Sequence, residues 1–319
     1  MTSFVFMGTP RFAVPSLEAL ADSYQVIGVV TQPDRPAGRG RELREPPVKR
    51  AALKHDLPLF QPRSLRAPEA VAQLAEWRPD VVVVVAFGQI LSQGVLDLPA
   101  HGFLNVHASL LPRWRGAAPV AAAILAGDEV TGVTIMKMDA GLDTGPILAQ
   151  RREPIGADDT RAVLTERLSY VGAELLVETL PEYISGELRP LSQADGEATF
   201  ADQLRKEDGQ LDWSRTAVEL DRKIRAFTPW PGTFTFWEGR RLKVLEASPL
   251  SELVDRPREG QAGGPPPGTV VEVNGGAAVV TGAGALRLER VQLAGKRAMA
   301  MGPFLRGRRD FGGSRLGRE

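Results

Sequence analysis

The chain has 319 residues, with 39 basic and 39 acidic side chains, three histidines and no cysteine. That length accommodates two domains, each with its own core; balanced charge leaves no global footprint for a polyanion, and the lack of cysteine removes disulfides and thiolate metal sites. No run of about eighteen apolar residues occurs, and the amino terminus lacks a basic stretch followed by an apolar one, so a soluble, cytoplasmic protein is expected.

Strand and helix signals alternate along the first half. Residues 3–8 are a short apolar run, residues 12–21 have helical spacing with Pro15 in the first turn, and residues 24–31 are rich in β-formers. The turn Gly8-Thr9-Pro10 lacks the three glycines that let a backbone approach a dinucleotide pyrophosphate, which argues against a nicotinamide cofactor. Residues 32–41 form a polar connection longer than most, in which Gly38 and Gly40 give backbone freedom and Arg35, Arg39 and Arg41 supply charge suited to phosphate. On composition alone this is a solvated loop.

Val81 to Val85 are five valines in a row, the mark of a central parallel strand covered on both faces, with helices over residues 68–77 before it and 117–126 after it. The alternation predicts an α/β fold with a doubly wound, mostly parallel sheet, whose ligands bind beyond the carboxyl ends of the strands.

If residues 102–107 form a strand, Asn105 and His107 point to one face at that end. Asp143 follows in a turn between Gly141 and Gly145 and can approach from the side. An amide N–H and an imidazolium can both donate to an oxyanion forming on an attacked carbonyl, while a carboxylate holds the imidazole protonated or passes protons through water. Such a trio suits acyl transfer without a covalent nucleophile. Asn-x-His can also be structural, and the Asp143 turn a tight hairpin with side-chain caps. A Ser109–His107–Asp143 hydrolytic triad is a further option, although no G-x-S-x-G elbow lifts Ser109. His55, at a charged helix end, and His101, in a proline-containing loop, read as solvated.

Residues 158–184 read as a long amphipathic helix closing a catalytic domain over 1–186. Residues 187–204 read as a linker, and 205–319 as a second domain. There, a helix over 216–227 is followed by short strands at 233–237, 241–246, 269–273, 277–281 and 286–293. Five short strands suggest a small β-barrel, OB-like in type. Residues 257–268 are rich in Pro and Gly and read as irregular. From residue 286 to the end, nine basic side chains face three acidic ones, either a phosphate-binding face or a solvated tail.

Asn105-x-His107-x-Ser109-Leu110-Leu111-Pro112-x-x-Arg115-Gly116, with Gly132-Val133-Thr134-Ile135 and Gly141-Leu142-Asp143-Thr144-Gly145, resembles the folate-dependent formyltransferases. The resemblance runs from Phe6-Met7-Gly8-Thr9-Pro10 to Trp230-Pro231-Gly232 and beyond. It implies 10-formyltetrahydrofolate as donor and the α-amino group of methionine on initiator tRNA as acceptor, in translation initiation, with no metal, no membrane and a monomeric enzyme. It implies Asn105, His107 and Asp143 as catalytic residues. Ser109, Leu110, Leu111 and Pro112, with Phe87, Gly88, Gln89 and Ile90, would line a folate pocket, and Arg35, Arg39, Arg41, Lys206, Lys296 and Arg297 would contact tRNA. Two alternatives remain: a formyltransferase acting on a small amine, a ribonucleotide or an amino sugar, and an inactive RNA-binding regulator on the same scaffold. Residues 312–315 and Pro265-Pro266-Pro267 look idiosyncratic.

Overall fold

The computed structural model describes residues 2–37, 42–250 and 264–317. The chain divides into two compact units, one made of Met1–Pro119, Glu129–Ile155 and Leu164–Asp202, the other of Val120–Asp128, Gly156–Val163 and Gln203–Glu319.

The first unit is built on a seven-stranded sheet. In spatial order the strands are Ile147–Pro154, Val130–Lys137, Phe103–His107, Val81–Val85, Ser3–Gly8, Gln25–Val30 and Leu59–Phe60. The last five run parallel and the first two antiparallel. Every residue of Val81–Val85 is buried, as are Phe4 to Gly8 beside it. A strand covered on both faces has no polar side to alternate with, which is why the run is continuous. From Ser3–Gly8 the chain moves outward on one side to Gln25–Val30, and from Val81–Val85 outward on the other to Phe103–His107. The topological switch therefore lies between these two central strands, beyond whose carboxyl ends a crevice opens.

At the antiparallel edge, Ile147–Pro154 alternates inward and outward and carries Arg151, Arg152 and Glu153, charges that discourage pairing with another chain. The helix Arg161–Ser185 buries Leu164, Leu168, Gly172, Leu176 and Leu180 at four-residue steps. Gly172 has a specific role. A Cβ there would lie 2.8 Å from Cγ1 of Val106, so only glycine lets the helix press against the strand between Asn105 and His107. Gly172→Leu is expected to cost about 1–3 kcal/mol through overpacking, read as a lowered Tm, and an unchanged Tm would disprove this close approach.

Of residues 187–204, expected as a linker, 187–202 lie within the first unit. Phe200–Ala201 pairs with Arg115–Gly116, and Leu191 bridges to Ile147. This segment has no apolar periodicity because backbone pairing and polar side chains, rather than a buried face, fix it.

In the second unit the antiparallel strands Thr233–Trp237, Arg240–Leu250, Ala285–Leu293, Gly276–Val280 and Val270–Val273 neighbour one another in that order, and Met299–Ala300 adds to Ala285–Leu293. The last three are joined as hairpins and Arg240–Leu250 lies beside the far one, a Greek-key arrangement. Arg240–Leu250 runs beyond the expected 241–246 by bending at two irregularities around Glu246. Bridges from Gly317 to Phe236 and from Arg315 to Thr269 place residues 315–317 between the two outermost strands and close the barrel.

The carboxy-terminal stretch is thus not a solvated tail. Phe311 is fully buried and Leu316 nearly so. The rings of Trp237, Phe304 and Phe311 meet edge to face inside, with Trp237 and Phe311 centroids 5.3 Å apart. The helix Ala217–Phe227 packs Leu220, Ile224 and Phe227 inward and starts with a capping box, Glu219 N–H donating to Thr216 Oγ1 and Thr216 N–H to Glu219 Oε2. Of the irregular loop expected at 257–268, residues 257–263 lie outside the described residues; Pro265, Pro266 and Pro267 are exposed.

Candidate active site

Phe103–His107 ends at the crevice side of the sheet, where Asn105 pairs with Val84 on one neighbour and with Met136 on the other. Strand alternation buries Val106 beneath the helix Arg161–Ser185 and turns Asn105 and His107 to the opposite face. His107 is 6 % exposed, and Asn105 and Asp143 are half-buried.

Asp143 stands on the turn after Val130–Lys137. Asp139 Oδ1 ties the turn by accepting from Gly141 N–H at 3.0 Å and from the Thr144 hydroxyl at 2.7 Å. Asp143 itself has φ of +52°, a left-handed conformation that costs an L-residue roughly 1–2 kcal/mol and needs surrounding structure to hold it. Its carboxylate gathers the site together: Oδ2 accepts from Gly116 N–H at 2.8 Å, Oδ1 from Asn105 Nδ2 at 3.4 Å, and His107 Nδ1 lies 3.7 Å from Oδ2.

His107 Nε2 is 3.0 Å from the carbonyl of Trp114. A carbonyl only accepts, so Nε2 carries a proton, and Nδ1 faces the carboxylate with a lone pair in the neutral ring or with a second N–H in the imidazolium. Trp114 is in turn fixed: its φ is +62°, its N–H donates to Thr199 Oγ1 at 2.9 Å, and the Arg113 guanidinium lies 4.4 Å from the centroid of its ring. The trio read from the sequence is therefore assembled in space, but both imidazole nitrogens already face protein groups.

Ser109 is fully buried, and its hydroxyl donates to Arg113 O at 2.6 Å. That bond builds a turn, so the hydrolytic triad has no free nucleophile. Thr134 Oγ1 donates to Ser109 O at 2.6 Å and accepts from Leu111 N–H at 3.1 Å, while Gln150 Nε2 donates to Leu111 O at 2.8 Å. The Leu111–Pro112 bond that follows is cis. Of the residues expected to line a folate pocket, Ser109, Leu111 and Phe87 are buried wall; Leu110, Pro112 and Gln89 are half-buried; Gly88 and Ile90 are exposed. Phe87 O accepts from Thr9 Oγ1 at 3.3 Å and Gln32 Nε2 at 3.2 Å, tying three strand ends at the switch point. The Gln89 amide serves structure, since Oε1 accepts from Leu65 N–H at 2.8 Å.

Arg35 is exposed and donates to Gln32 Oε1 at 2.8 Å. Arg39 and Arg41 lie outside the described residues. The approach to this loop is pinned: Asp34 accepts from Gln61 Nε2 at 2.9 Å and from Lys49 Nζ at 2.6 Å, contacts that hold its carboxyl below the usual range. In the other unit, Lys206, Lys296 and Arg297 are exposed, the last two in the turn after Ala285–Leu293. His101, expected in solvent, packs its ring 6.3 Å from that of Tyr183. Among the described residues, no three His, Asp or Glu side chains cluster to hold a metal, and no helix is long and apolar enough to cross a membrane.

Residues 1–180 match the family Formyl transferase, and residues 203–309 match Formyl transferase, C-terminal domain. The chain belongs to the formyl transferase family. It is 50% identical over 315 residues to a methionyl-tRNA formyltransferase of Roseiflexus sp. (strain RS-1), covering 98% of this chain and 94% of that one. It is 49% identical to one of Magnetococcus marinus, covering 98% and 97%. Among solved structures, an N-formyltransferase from Helicobacter canadensis in complex with folinic acid and dTDP-3-aminofucose matches with a TM-score of 0.67 at 17% identity, over 90% of this chain and 99% of that one. HypX from Aquifex aeolicus in complex with tetrahydrofolic acid matches with 0.61 at 18% identity, over 95% of this chain and 46% of that one. These two share the fold.

Around the trio, this formyl transferase places residues that sequence reading did not single out as functional. Gly116 supplies a backbone donor to Asp143, Thr199 and the Trp114 carbonyl fix the His107 side, and Arg115 and Gln193 lie behind the Asp143 turn. Arg115-Gly116 closes the Asn-x-His motif, which was the signal for that pair. Gln193 had none, being a polar residue in a stretch that reads as a connection. Gly145 is a close-approach position, because a Cβ there would lie 1.7 Å from Lys137 O. Gly145→Ala is therefore expected to displace the Asp143 turn and lower turnover about tenfold or more. Wild-type turnover in that variant would show that the turn has room to spare.

Proposed function

We propose that this formyl transferase moves the formyl group of 10-formyltetrahydrofolate to the α-amino group of methionine on initiator tRNA, for translation initiation. The observation that carries the reading is near-50% identity to methionyl-tRNA formyltransferases over 98% of the chain, barrel included. The site geometry supplies the chemistry. The amine is the nucleophile, and its ester neighbour lowers its basicity so that a neutral fraction is present near neutral pH. It attacks the formyl carbon, forming a C–N bond and an oxyanion. Asn105 has two amide N–H groups; one is engaged by Asp143, and the second is free to donate to that oxygen. The Nε2–H of His107, held by Trp114 O before substrate enters, is the second donor when the ring turns toward the oxyanion. Asp143 takes the proton that the amine loses and passes it, through water, to the departing N10 of the folate as the old C–N bond breaks.

Ser109, Leu110, Leu111, Pro112 and the Phe87-Gly88-Gln89-Ile90 turn shape the folate pocket, the buried members as wall and the exposed Ile90 and Gly88 as rim. Arg35, Arg39, Arg41, Lys206, Lys296 and Arg297 contact tRNA phosphates. The test is formyl transfer from one donor to competing acceptors: methionyl-tRNA, free methionine and a nucleotide-linked amino sugar. The value of kcat/KM for methionyl-tRNA is expected to exceed the others by roughly 10²-fold or more. Preference for the amino sugar or free amine would replace this reading with a small-amine transferase, and no transfer to any acceptor would favour an inactive scaffold.

A further inference from the structure

We propose that Gln193 is a positioning residue for formyl transfer, its carboxamide locking together the two segments that flank the Asp143 carboxylate. The role rests on the activity proposed above and deepens it. The Gln193 side chain donates from Nε2 to the carbonyls of Asp143 at 2.8 Å and Gly145 at 2.7 Å. Its Oε1 accepts from Nε of Arg115 at 3.1 Å and from Nη2 of the same residue at 2.9 Å.

These partners admit one orientation of the amide. A guanidinium only donates and a carbonyl only accepts, so turning the amide over would set N–H against N–H and oxygen against two oxygens. The anchor is firm. Arg115 is only 4 % exposed, its Nη2 also donates to Asp195 Oδ1 at 2.8 Å, and its backbone N–H donates to Thr199 O at 2.9 Å.

What Gln193 joins is the site itself. On one side is the left-handed Asp143, whose carbonyl direction and side-chain direction are set by the same backbone angles. On the other is the run of Trp114, Arg115 and Gly116, whose Trp114 carbonyl meets His107 Nε2 and whose Gly116 N–H meets Asp143 Oδ2. With Gln193 in place, carboxylate, imidazole and N–H donor keep a common frame. Without it, the Asp143 and Gly145 carbonyls lose this donor and the turn is free to relax. Gln193 reaches no reacting atom; it acts through Asp143.

The experiment uses the full chain with Gln193→Ala and Gln193→Glu, each alone and combined with Asp143→Ala. Formyl transfer to methionyl-tRNA is measured at saturating substrates, and hydrogen exchange is followed in the peptide that carries Gly116. In Gln193→Ala, kcat should fall about tenfold to 10²-fold while KM for both substrates stays within about threefold. Gln193→Glu keeps the size but cannot donate to two carbonyls, and should lose at least as much; it also carries the test if the alanine variant fails to fold. On top of Asp143→Ala, either change should cost less than about threefold more, because both act through one carboxylate. Exchange at the Gly116 amide should quicken about tenfold in either single variant. Turnover within about twofold of wild type, a further tenfold loss in the double variants, or unchanged exchange would each overturn the positioning role. A wild-type chain that transfers no formyl group would refute the activity alone, and exchange would still decide for or against Gln193.

Discussion

Asp143→Ala and His107→Asn are each expected to lower turnover by about 10²-fold or more, with folding and folate binding retained, because one preorganised group at a developing charge is typically worth about 10²–10³ in rate. Removing the Asp143 carboxylate takes away the acceptor for Gly116 N–H and for Asn105 Nδ2 together, and takes away the oxygen that lies 3.7 Å from His107 Nδ1. The carboxylate is 14 % exposed and the Asn105 amide is half-buried, so water can re-satisfy part of what is removed and the fold survives. Asn105→Ala is expected to behave alike, and the three losses should not be additive if all three act on one intermediate. Single-turnover rates at saturating donor, with a folate titration of each variant beside them, check this. A variant with near wild-type turnover removes its residue from the mechanism, and one that loses folate affinity in step with rate shows a binding role instead.

The second large effect belongs to the barrel. The double charge reversal Lys296→Glu and Arg297→Glu is expected to weaken methionyl-tRNA binding about tenfold or more at roughly 0.1 M salt, and to flatten the slope of log affinity against log salt by about two, one for each phosphate no longer neutralised. Both side chains are exposed on a turn that contributes nothing to the Trp237, Phe304 and Phe311 core, so stability should change little. Folate affinity should not move. Unchanged affinity and slope would leave this turn as ordinary solvated surface and shift the phosphate-binding groups elsewhere.

Some of this was written plainly in local sequence. Five valines could not alternate and so announced a strand buried on both faces, and the two-residue step from Asn105 to His107 fixed their common side. Glycines at 141 and 145 marked the Asp143 turn, because no other residue permits the close approach that Gly145 makes to Lys137. What local pattern could not show depends on partners far along the chain. Gln193 meets the Asp143 carbonyl fifty residues away, and a lone glutamine between Ser192 and Ala194 carries no periodicity to betray it. Ser109 looked available for chemistry, but its hydroxyl is taken by Arg113 O only four residues on. At the carboxyl terminus, Phe311 and Leu316 are isolated apolar residues among Gly and Arg, and their burial follows from barrel closure through Gly317 and Arg315, a long-range pairing.

The formyl group is expected to end on the α-nitrogen of the methionine. The most direct measurement supplies 10-formyltetrahydrofolate carrying a labelled formyl carbon to the protein and methionyl-initiator tRNA in a single turnover, then hydrolyses the ester and identifies the labelled product. The expected product is labelled N-formylmethionine, formed one for one with tetrahydrofolate and about 10²-fold more slowly in the Asp143→Ala variant. Label released as free formate, transferred to another amine, or appearing unchanged in that variant would contradict the proposed transfer.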